Sequence, residues 1–424
     1  MHHLILGAGP AGVIAAETIR KHRPQDAVTI VGDEPEPPYS RMAIPYLLSG
    51  KIGEQGTWLR KEAGHYDALR INVVRDRATA LDTASRTVTL ASGRQLGFDT
   101  MLVATGSMPL RPPIPGINLP GVHPCWTLED ARRIMALAVR GARVLQMGAG
   151  FIGCIIMEAL AARGVQLAVV EMGDRMVPRM MGPTAGAMIK DWCLARGVQV
   201  YTGTKVEAIS PGAPLSVRLS NGERIGADLV ISATGVKPAI GFLEGCGVRC
   251  KTGVLADAFM QTNVAGIYAA GDCAEAFDNF SGRHVVSAIQ PNASEQGRVA
   301  GLNMAGLRAQ LQAVTQINVL DTLGLVSTSF GEWRGLPGGD QVEVTDRNAG
   351  RHLSLQFKDD LMVGCNSVGW TDHVGVLRGL VEGQVRLGPW KDRLKADPTR
   401  LVEAYLASAQ AQGQWQGARD ERRR

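Results

Sequence analysis

The sequence predicts an α/β protein, and a repeated pattern carries this prediction. Residues 3–14 (HLILGAGPAGVI) read as an apolar strand, a glycine turn and the start of a helix, and a second apolar strand (AVTIVG) follows. The same order returns from residue 142 in ARVLQMGAGFIGCIIMEALAARGVQLAVVE. Strands that alternate with helices are typical of a parallel sheet covered by helices. The sequence thus indicates two successive α/β segments of one kind.

The first glycine turn has the spacing Gly7-x-Gly9-x-x-Gly12. In such a turn the first glycine allows a tight bend, the second lets the backbone approach a pyrophosphate, and the third lets the helix pack closely on the strand. The helix N-terminus favours the phosphate charge. The spacing predicts a Rossmann-like dinucleotide site formed by Gly7, Gly9, Pro10, Ala11 and Gly12.

A dinucleotide site of this kind usually has an acidic residue at the end of its second strand, which binds the ribose hydroxyls. In the first segment Gly32 occupies the expected position. We therefore predict Asp33, one residue later, as the ribose ligand, with Glu34 behind it as the alternative.

The second glycine turn repeats the spacing as Gly148-x-Gly150-x-x-Gly153, with Phe151 and Ile152 at the start of the helix. Here Glu171 closes the second strand. An acid at this place pairs with a free ribose diol and repels a 2′-phosphate. The second turn therefore predicts a nicotinamide nucleotide site that prefers NADH over NADPH.

Three further segments complete the pattern. FDTMLVATGSMPLRPPIPG ends a strand at Ala104-Thr105-Gly106, ADLVISATGVKPAI repeats this ending up to Gly235, and GIYAAGDCAE ends a strand at Gly271-Asp272. This order resembles the FAD-dependent pyridine nucleotide–disulfide oxidoreductase superfamily over about residues 3–310. The resemblance implies that the first segment binds FAD and that the second, inserted into the first, binds NAD(P)H.

The resemblance also assigns roles to single residues. It implies that Asp272 bonds the ribityl chain of the flavin. QPNASEQGRVAG resembles the helix start near the flavin ring, so Gln296 is either a flavin contact or a capping residue. The implied domains are an FAD-binding domain (1–112 and 246–315), an NAD(H)-binding domain (113–245) and a C-terminal α+β interface domain (316–410), followed by a flexible tail (411–424).

Within the superfamily the chain looks closest to rubredoxin and ferredoxin reductases and to the flavin-binding part of nitrite reductase. GDEPEPPYSR resembles their GDE…PYDR stretch, which implies that Arg41 lies near the FAD phosphates. The next residues, RMAIPYLLSG, resemble the SRCGLPYYxxG pattern of cysteine-containing oxidases and disulfide reductases. In that alignment Met42 takes the place of the redox cysteine.

A thioether cannot form the persulfide, sulfenate or mixed disulfide that a nucleophilic thiolate forms. Two further differences accompany Met42. Tyr46 stands where ferredoxin reductases carry a lysine, and Ile155 stands where many relatives carry a glutamate. The sequence therefore predicts a neutral flavin pocket in which the flavin is the catalyst, with Met42 and Tyr46 beside it.

Composition excludes several other classes. The 424 residues carry a formal charge of +5 and contain seven scattered cysteines without a CxxC pair. This pattern favours reduced thiols in the cytoplasm and gives no protein-bound metal. We find no apolar run of about 18 residues, and no basic stripe with interleaved aromatic residues that would indicate nucleic-acid binding.

The sequence thus predicts an FAD-dependent NADH oxidoreductase that passes electrons to a small acidic iron–sulfur protein of rubredoxin or ferredoxin type, and that forms a homodimer. One alternative is an NADH oxidase or quinone reductase that works without a thiol. An alternative of another class is a flavin-binding regulatory or assembly subunit with weak catalysis.

Overall fold

The computed structural model describes residues 1–278, 281–314 and 317–411. Its strands are β1 (His2–Leu6), β2 (Ala27–Gly32), β3 (Ile71–Arg75), β4 (Ala78–Asp82), β5 (Thr87–Leu90), β6 (Gln95–Gly97), β7 (Thr100–Val103), β8 (Ser107–Pro109), β9 (Val122–Pro124), β10 (Arg143–Met147), β11 (Gln166–Val170), β12 (Gln199–Tyr201), β13 (Val206–Ser210), β14 (Leu215–Leu219), β15 (Arg224–Ala227), β16 (Leu229–Ser232), β17 (Val236–Pro238), β18 (Val254–Ala256), β19 (Ile267–Ala269), β20 (Ala274–Asp278), β21 (Arg283–Val285), β22 (Ile317–Thr322), β23 (Leu325–Gly331), β24 (Asp340–Asp346), β25 (Arg351–Lys358) and β26 (Leu361–Val368). Its helices are α1 (Pro10–His22), α2 (Ile44–Leu48), α3 (His65–Ala68), α4 (Leu128–Leu137), α5 (Phe151–Ala162), α6 (Pro183–Ala195), α7 (Gln290–Met304), α8 (Val374–Glu382), α9 (Trp390–Ala396) and α10 (Leu401–Ala411).

The chain divides into two compact units. The first unit comprises Met1–Leu110, Trp126–Ala131 and Val236–Val314, and the second comprises Arg111–Cys125, Arg132–Gly235 and the described residues from 317 onward. The α/β class with two Rossmann-like sheets is confirmed. The residue boundaries predicted for three domains stay predictions.

The first unit is built on a five-stranded parallel sheet in the order β19-β7-β1-β2-β3. Strands β1 and β7 are buried over nearly all their residues, as expected for parallel strands covered on both faces. Helices α1 and α7 pack without an intervening side chain, because a Cβ on Gly297 would lie 2.3 Å from the Ala11 carbonyl oxygen. The carboxyl ends of the strands carry the predicted FAD-binding segments.

The second unit contains another parallel sheet, β12-β11-β10-β16-β9, and an antiparallel sheet, β22-β23-β26-β25-β24. The antiparallel sheet, with α8, α9 and α10, forms the C-terminal part predicted as strands and helices. Edge strand β24 and helix α9 were not predicted from the sequence. Helix α10 runs to Ala411, one residue into the predicted flexible tail, and the rest of that tail (412–424) lies outside the described residues.

The cysteines are unpaired and mostly buried in the structure. All seven are free thiols, and five of them are buried. Within the described ranges, no helix has the length and apolar character needed to cross a membrane.

Candidate functional site: two glycine turns and the segments around them

The first glycine turn is fixed by two close backbone approaches. Gly7 has φ +121°, and a Cβ there would lie 2.0 Å from the carbonyl oxygen of Ala104. A Cβ on Gly12 would lie 2.0 Å from the carbonyl oxygen of Gly7. Side chains at these two positions would overlap backbone atoms, so both glycines are needed for the fold itself.

Gly9 differs from its neighbours, because a Cβ built on it meets no protein atom within 4 Å. It precedes α1, whose first turn begins at Pro10 and carries neither an acidic residue nor a side-chain cap. The first N–H groups of a helix lack intrahelical partners and attract anions. The space beside Gly9 and these donors together fit the pyrophosphate of a dinucleotide.

The second turn has the same two close backbone approaches and the same open position at its middle glycine. A Cβ on Gly148 would lie 2.4 Å from the Ala233 carbonyl oxygen, and a Cβ on Gly153 would lie 2.5 Å from the Gly148 carbonyl oxygen. Around Gly150 no atom lies within 4 Å of a Cβ position, and α5 starts directly after it at Phe151, with Ile152 next. The second turn therefore fits a second pyrophosphate.

The ends of β1 and β10 show which acidic positions correspond. Gly7 donates its N–H to the Val31 carbonyl oxygen (2.7 Å), and Gly148 donates its own to that of Val170 (2.8 Å). The next residues, Gly32 and Glu171, are therefore equivalent, as the sequence spacing predicted. A Cβ on Gly32 would lie 2.8 Å from the Cβ of Ala8, so this backbone position leaves no room for a side chain.

The Glu171 side chain is hydrogen-bonded to the glycine turn that precedes it in the chain. Its carboxylate accepts hydrogen bonds from the backbone N–H groups of Ala149 and Gly173, both at 2.7 Å. The Ala149 carbonyl oxygen accepts in turn from the N–H of Val177 (2.9 Å), a buried residue with φ +50°. A β-branched residue in the left-handed region is strained, and no motif in the sequence predicts this second restraint on the turn.

Glu34 and Arg41 form an ion pair, with Nη2 of Arg41 2.6 Å from Oε1 of Glu34. The hydroxyl group of Tyr39 donates to Oε2 of the same glutamate (2.5 Å), while Nη1 of Arg41 donates to the carbonyl oxygen of Trp126 (2.8 Å). Both carboxylate oxygens of Glu34 thus have partners, whereas Asp33 is exposed. The ribose role of either acid and the phosphate role of Arg41 stay predictions.

The ATG and GD segments meet beside the first turn. Gly106 (φ +67°) follows β7, and Thr105 donates its hydroxyl to the Ala239 carbonyl oxygen (2.7 Å). Asp272 lies in a 3-10 turn, Gly271–Cys273, and accepts a hydrogen bond from the Ser107 hydroxyl (2.8 Å). Burial raises the pKa of the Asp272 carboxyl group, and the Ser107 hydrogen bond and the Arg41 charge partly offset this rise.

Gln296 lies on α7 and is 1% exposed. Its Oε1 accepts a hydrogen bond from the N–H of Gly271 (2.8 Å), which joins the helix to the GD turn. A Cβ on Gly271 would lie 3.3 Å from the Cβ of Ala11, so the GD turn also adjoins the first glycine turn. These contacts give Gln296 a structural role, and its contact with the flavin stays a prediction.

In the second unit, Gly235 follows β16 with φ +114°.

Met42 and Tyr46 lie four residues apart, in a 3-10 turn (Arg41–Ala43) and in α2. Their side chains are 47% and 54% exposed, respectively, while Leu47 and Leu48 beside them are buried. Ser40 holds the segment to the first residue of α7, because its hydroxyl donates to Oε1 of Gln290 (2.5 Å). The position of both side chains beside the flavin stays a prediction.

Cys273 is the cysteine adjacent to Asp272, and it is fully buried. Its thiol donates to the carbonyl oxygens of Val103 and Ala270, both at 3.3 Å. Burial raises the pKa of this thiol to about 11. Since only a thiolate is a good nucleophile, Cys273 does not replace the cysteine missing at Met42.

Among the described residues no group of acidic, histidine and cysteine side chains could hold a metal ion.

Two equivalent turns, each with space for a pyrophosphate, define a protein that binds two dinucleotides. The sequence agrees with this class, since the pyridine nucleotide-disulphide oxidoreductase family matches residues 1–297. The chain belongs to this family. It is an oxidoreductase whose cofactors are FAD and NADH.

Individual relatives cover nearly the whole chain. It is 32% identical over 412 residues to the NADH-dependent phenylglyoxylate dehydrogenase subunit epsilon of Aromatoleum evansii (96% of this chain, 97% of the relative). It is 28% identical over 402 residues to a ferredoxin–NAD(P)(+) reductase of a Sphingomonas species (91% and 94%). The reductase in a covalent putidaredoxin reductase–putidaredoxin complex has the same fold, with a TM-score of 0.87 at 23% identity over 96% of this chain and 98% of that one.

Removal of the Glu171 carboxylate is expected to narrow the preference for NADH. We expect the native protein to prefer NADH over NADPH by at least about tenfold in kcat/KM, which is about 1.4 kcal/mol. Glu171→Gln should narrow this ratio and Glu171→Arg should narrow it further or reverse it, because the 2′-phosphate then meets no negative charge.

Steady-state kinetics with both nucleotides checks this expectation. Asp174→Ala is the matched control, because Asp174 lies three residues further on and its side chain is 72% exposed. It should leave the ratio within about twofold. Equal use of both nucleotides by the native protein would contradict the role of Glu171.

Proposed function

We propose that this chain carries electrons between NADH and a small iron–sulfur protein through FAD. The observation that carries the proposal is Met42, which stands where the family's thiol-dependent members have their redox cysteine. The one cysteine beside the GD turn, Cys273, is buried, and this burial raises the pKa of its thiol to about 11. Neither Met42 nor Cys273 therefore supplies a thiolate that could carry electrons beside the flavin.

Each of the two units would hold one of the two cofactors. In the first unit Gly9, the N-terminus of α1 and Asp272 would hold FAD; in the second unit Gly150, the N-terminus of α5 and Glu171 would hold NADH. FAD, when bound, takes two electrons from NADH and can release them singly, which a one-electron carrier requires. Met42 and Tyr46 are exposed and uncharged, so neither of these two side chains would place a fixed charge beside the flavin.

The relatives support this proposal. One is named a ferredoxin–NAD(P)(+) reductase, and another is named a subunit of an NADH-dependent dehydrogenase. Both names fit a chain that exchanges electrons with another protein. A net charge of +5 favours an acidic carrier. The proposal extends to a homodimer formed through the C-terminal sheet and to the cytoplasm, where the seven free thiols would stay reduced.

The test compares acceptors under one set of conditions. FAD-loaded protein with NADH should reduce a rubredoxin or a ferredoxin faster than it consumes oxygen. The outcome that contradicts the proposal is oxygen consumption equal to NADH oxidation, with no reduction of either carrier. That outcome would identify a thiol-independent oxidase.

Met42→Leu should keep most of the carrier-reducing activity. Leucine and methionine have similar volumes, and such exchanges cost little in packing. Met108→Leu is the matched control, because Met108 lies in the same unit and is 44% exposed, close to the 47% of Met42. Carrier reduction and FAD content of both variants give the comparison.

A redox role for Met42 predicts a different result. A fall of more than about 100-fold in kcat for Met42→Leu alone, with FAD content unchanged, corresponds to about 2.7 kcal/mol of barrier. A packing change at a half-exposed side chain does not reach that size. Such a loss would show that Met42 takes part in electron transfer.

A further inference from the structure

A chain of polar contacts runs through the first unit from Glu34 to Asp272. It passes from Glu34 to the guanidinium group of Arg41 (2.6 Å) and from Arg41 to the carbonyl oxygen of Trp126 (2.8 Å). The indole Nε1 of Trp126 donates to the carbonyl oxygen of Ser107 (2.9 Å), and the Ser107 hydroxyl donates to Asp272 (2.8 Å). The chain thus joins one candidate ribose acid to the acid expected at the ribityl group.

Each link is held in place by further contacts. The Arg41 guanidinium carbon lies 5.2 Å from the centre of the Trp126 ring, a cation–π distance. The backbone N–H groups of Trp126 and Thr127 donate to the Asp130 carboxylate at 3.2 and 2.9 Å. Ser107 is 7% exposed. Trp126 is therefore held by the Arg41 cation and by Asp130, and Ser107 is the buried member of the path.

Ser107 is the junction of the path. Its carbonyl oxygen accepts a hydrogen bond from the Trp126 indole and its hydroxyl group donates one to Asp272, so this one residue connects Trp126 to the carboxylate. Trp126 lies 85 residues from Arg41 in sequence, and Ser107 lies 165 residues from Asp272. Neither residue belongs to a glycine turn.

We infer that Trp126 and Ser107 are FAD-positioning residues, which orient the Asp272 carboxylate through the indole–carbonyl and hydroxyl–carboxylate bonds. This inference concerns cofactor binding and holds whichever electron acceptor the protein uses. It predicts that both residues affect FAD affinity.

Two conservative variants isolate the two bonds. Ser107→Ala removes the hydroxyl donor, and Trp126→Phe removes the indole N–H while it keeps an aromatic ring under Arg41. We expect Ser107→Ala to weaken FAD binding to the apoprotein by about tenfold, which is about 1.4 kcal/mol, the order of a hydrogen bond to a charged group. Trp126→Phe, which acts through one more bond, should weaken it by about three- to fivefold.

The chain offers a matched control for each variant. Ser92→Ala also removes a serine hydroxyl that bonds an aspartate, since Ser92 donates to Asp76 at an exposed site of the same unit. Trp58→Phe also removes an indole N–H in this unit. Both controls should bind FAD as the native protein does. Thermal unfolding of the four apoproteins shows whether a variant has lost stability instead of a specific contact.

The pH dependence of FAD binding separates an effect on Asp272 from a general structural effect. Asp272 accepts ribityl hydrogen bonds best when it is ionised, so affinity should rise with pH until the apoprotein's carboxyl group has lost its proton. Ser107 lowers the pKa of this group, as does the Arg41 charge, and the neighbouring Cys273 thiol stays neutral at these pH values. Without the Ser107 hydroxyl the pKa is higher, so the plateau of affinity should begin at a higher pH.

The readout is the FAD dissociation constant, measured by flavin fluorescence between about pH 5 and pH 8. An Asp272→Ala background should abolish most of the Ser107→Ala effect, because the hydroxyl then has no carboxylate to orient. Native affinity in both test variants would overturn the inference. Equal losses in Ser92→Ala and Trp58→Phe, or fully additive effects of Ser107→Ala and Asp272→Ala, would overturn it as well.

Discussion

A Gly9→Val variant is expected to fold and to lose FAD. The Gly9 backbone has φ −83° and ψ −174°, which valine adopts without strain. A Cβ there meets no protein atom within 4 Å, so the new side chain would fill only the space beside the N-terminus of α1. That space is the one that fits the FAD pyrophosphate. We expect FAD affinity to fall by more than about 100-fold, or about 2.7 kcal/mol.

The neighbouring glycines supply the contrast. Gly7→Ala and Gly12→Ala would each place a Cβ 2.0 Å from a carbonyl oxygen. These variants should therefore lose soluble, folded protein, whereas Gly9→Val should remain folded by circular dichroism. The absorbance of flavin released from each purified protein measures the FAD content. Full FAD content in Gly9→Val would show that the first turn is not the flavin site.

Gly150→Val should produce the opposite phenotype, an enzyme that keeps FAD and no longer accepts electrons from NADH. The backbone at Gly150 (φ −76°, ψ −170°) also suits valine, and its surroundings are equally open. We expect kcat/KM for NADH to fall by at least about 100-fold, because the branched side chain occupies the second pyrophosphate position.

Chemical reduction provides the control for this variant. Dithionite should reduce the flavin of Gly150→Val as fast as that of the native protein, and the reduced variant should still pass electrons to the carrier. Loss of FAD from Gly150→Val, or unchanged reduction by NADH, would mean that the two turns have been assigned in the wrong order.

The glycine turns, the ATG endings and the GD turn were predictable because each depends on local spacing. Gly7, Gly9 and Gly12 act within one strand–turn–helix segment, and the equivalence of Gly32 with Glu171 follows from counting along two similar segments. The structure adds that a Cβ at Gly32 would lie 2.8 Å from the Cβ of Ala8.

The contacts of Trp126, Ser107 and Val177 could not be predicted in this way. Trp126 reaches Ser107 through a side-chain N–H and a backbone carbonyl group, and carbonyl groups leave no mark in a sequence. The strain at Val177 comes from its left-handed backbone conformation, which valine rarely adopts and which a sequence therefore does not predict. Edge strand β24 was missed although its residues alternate, because short and mostly exposed strands give a weak signal.

Thiol-independent electron transfer through the flavin can be tested by anaerobic mixing of the FAD-loaded protein with NADH, followed by addition of a rubredoxin or ferredoxin. The flavin should bleach promptly, no long-wavelength charge-transfer band of a thiolate on oxidised flavin should appear, and the carrier should be reduced. Prior treatment with an alkylating reagent should change none of these results. A charge-transfer band, together with inactivation by the alkylating reagent that FAD or NADH prevents, would instead show that a cysteine reaches the flavin and carries electrons.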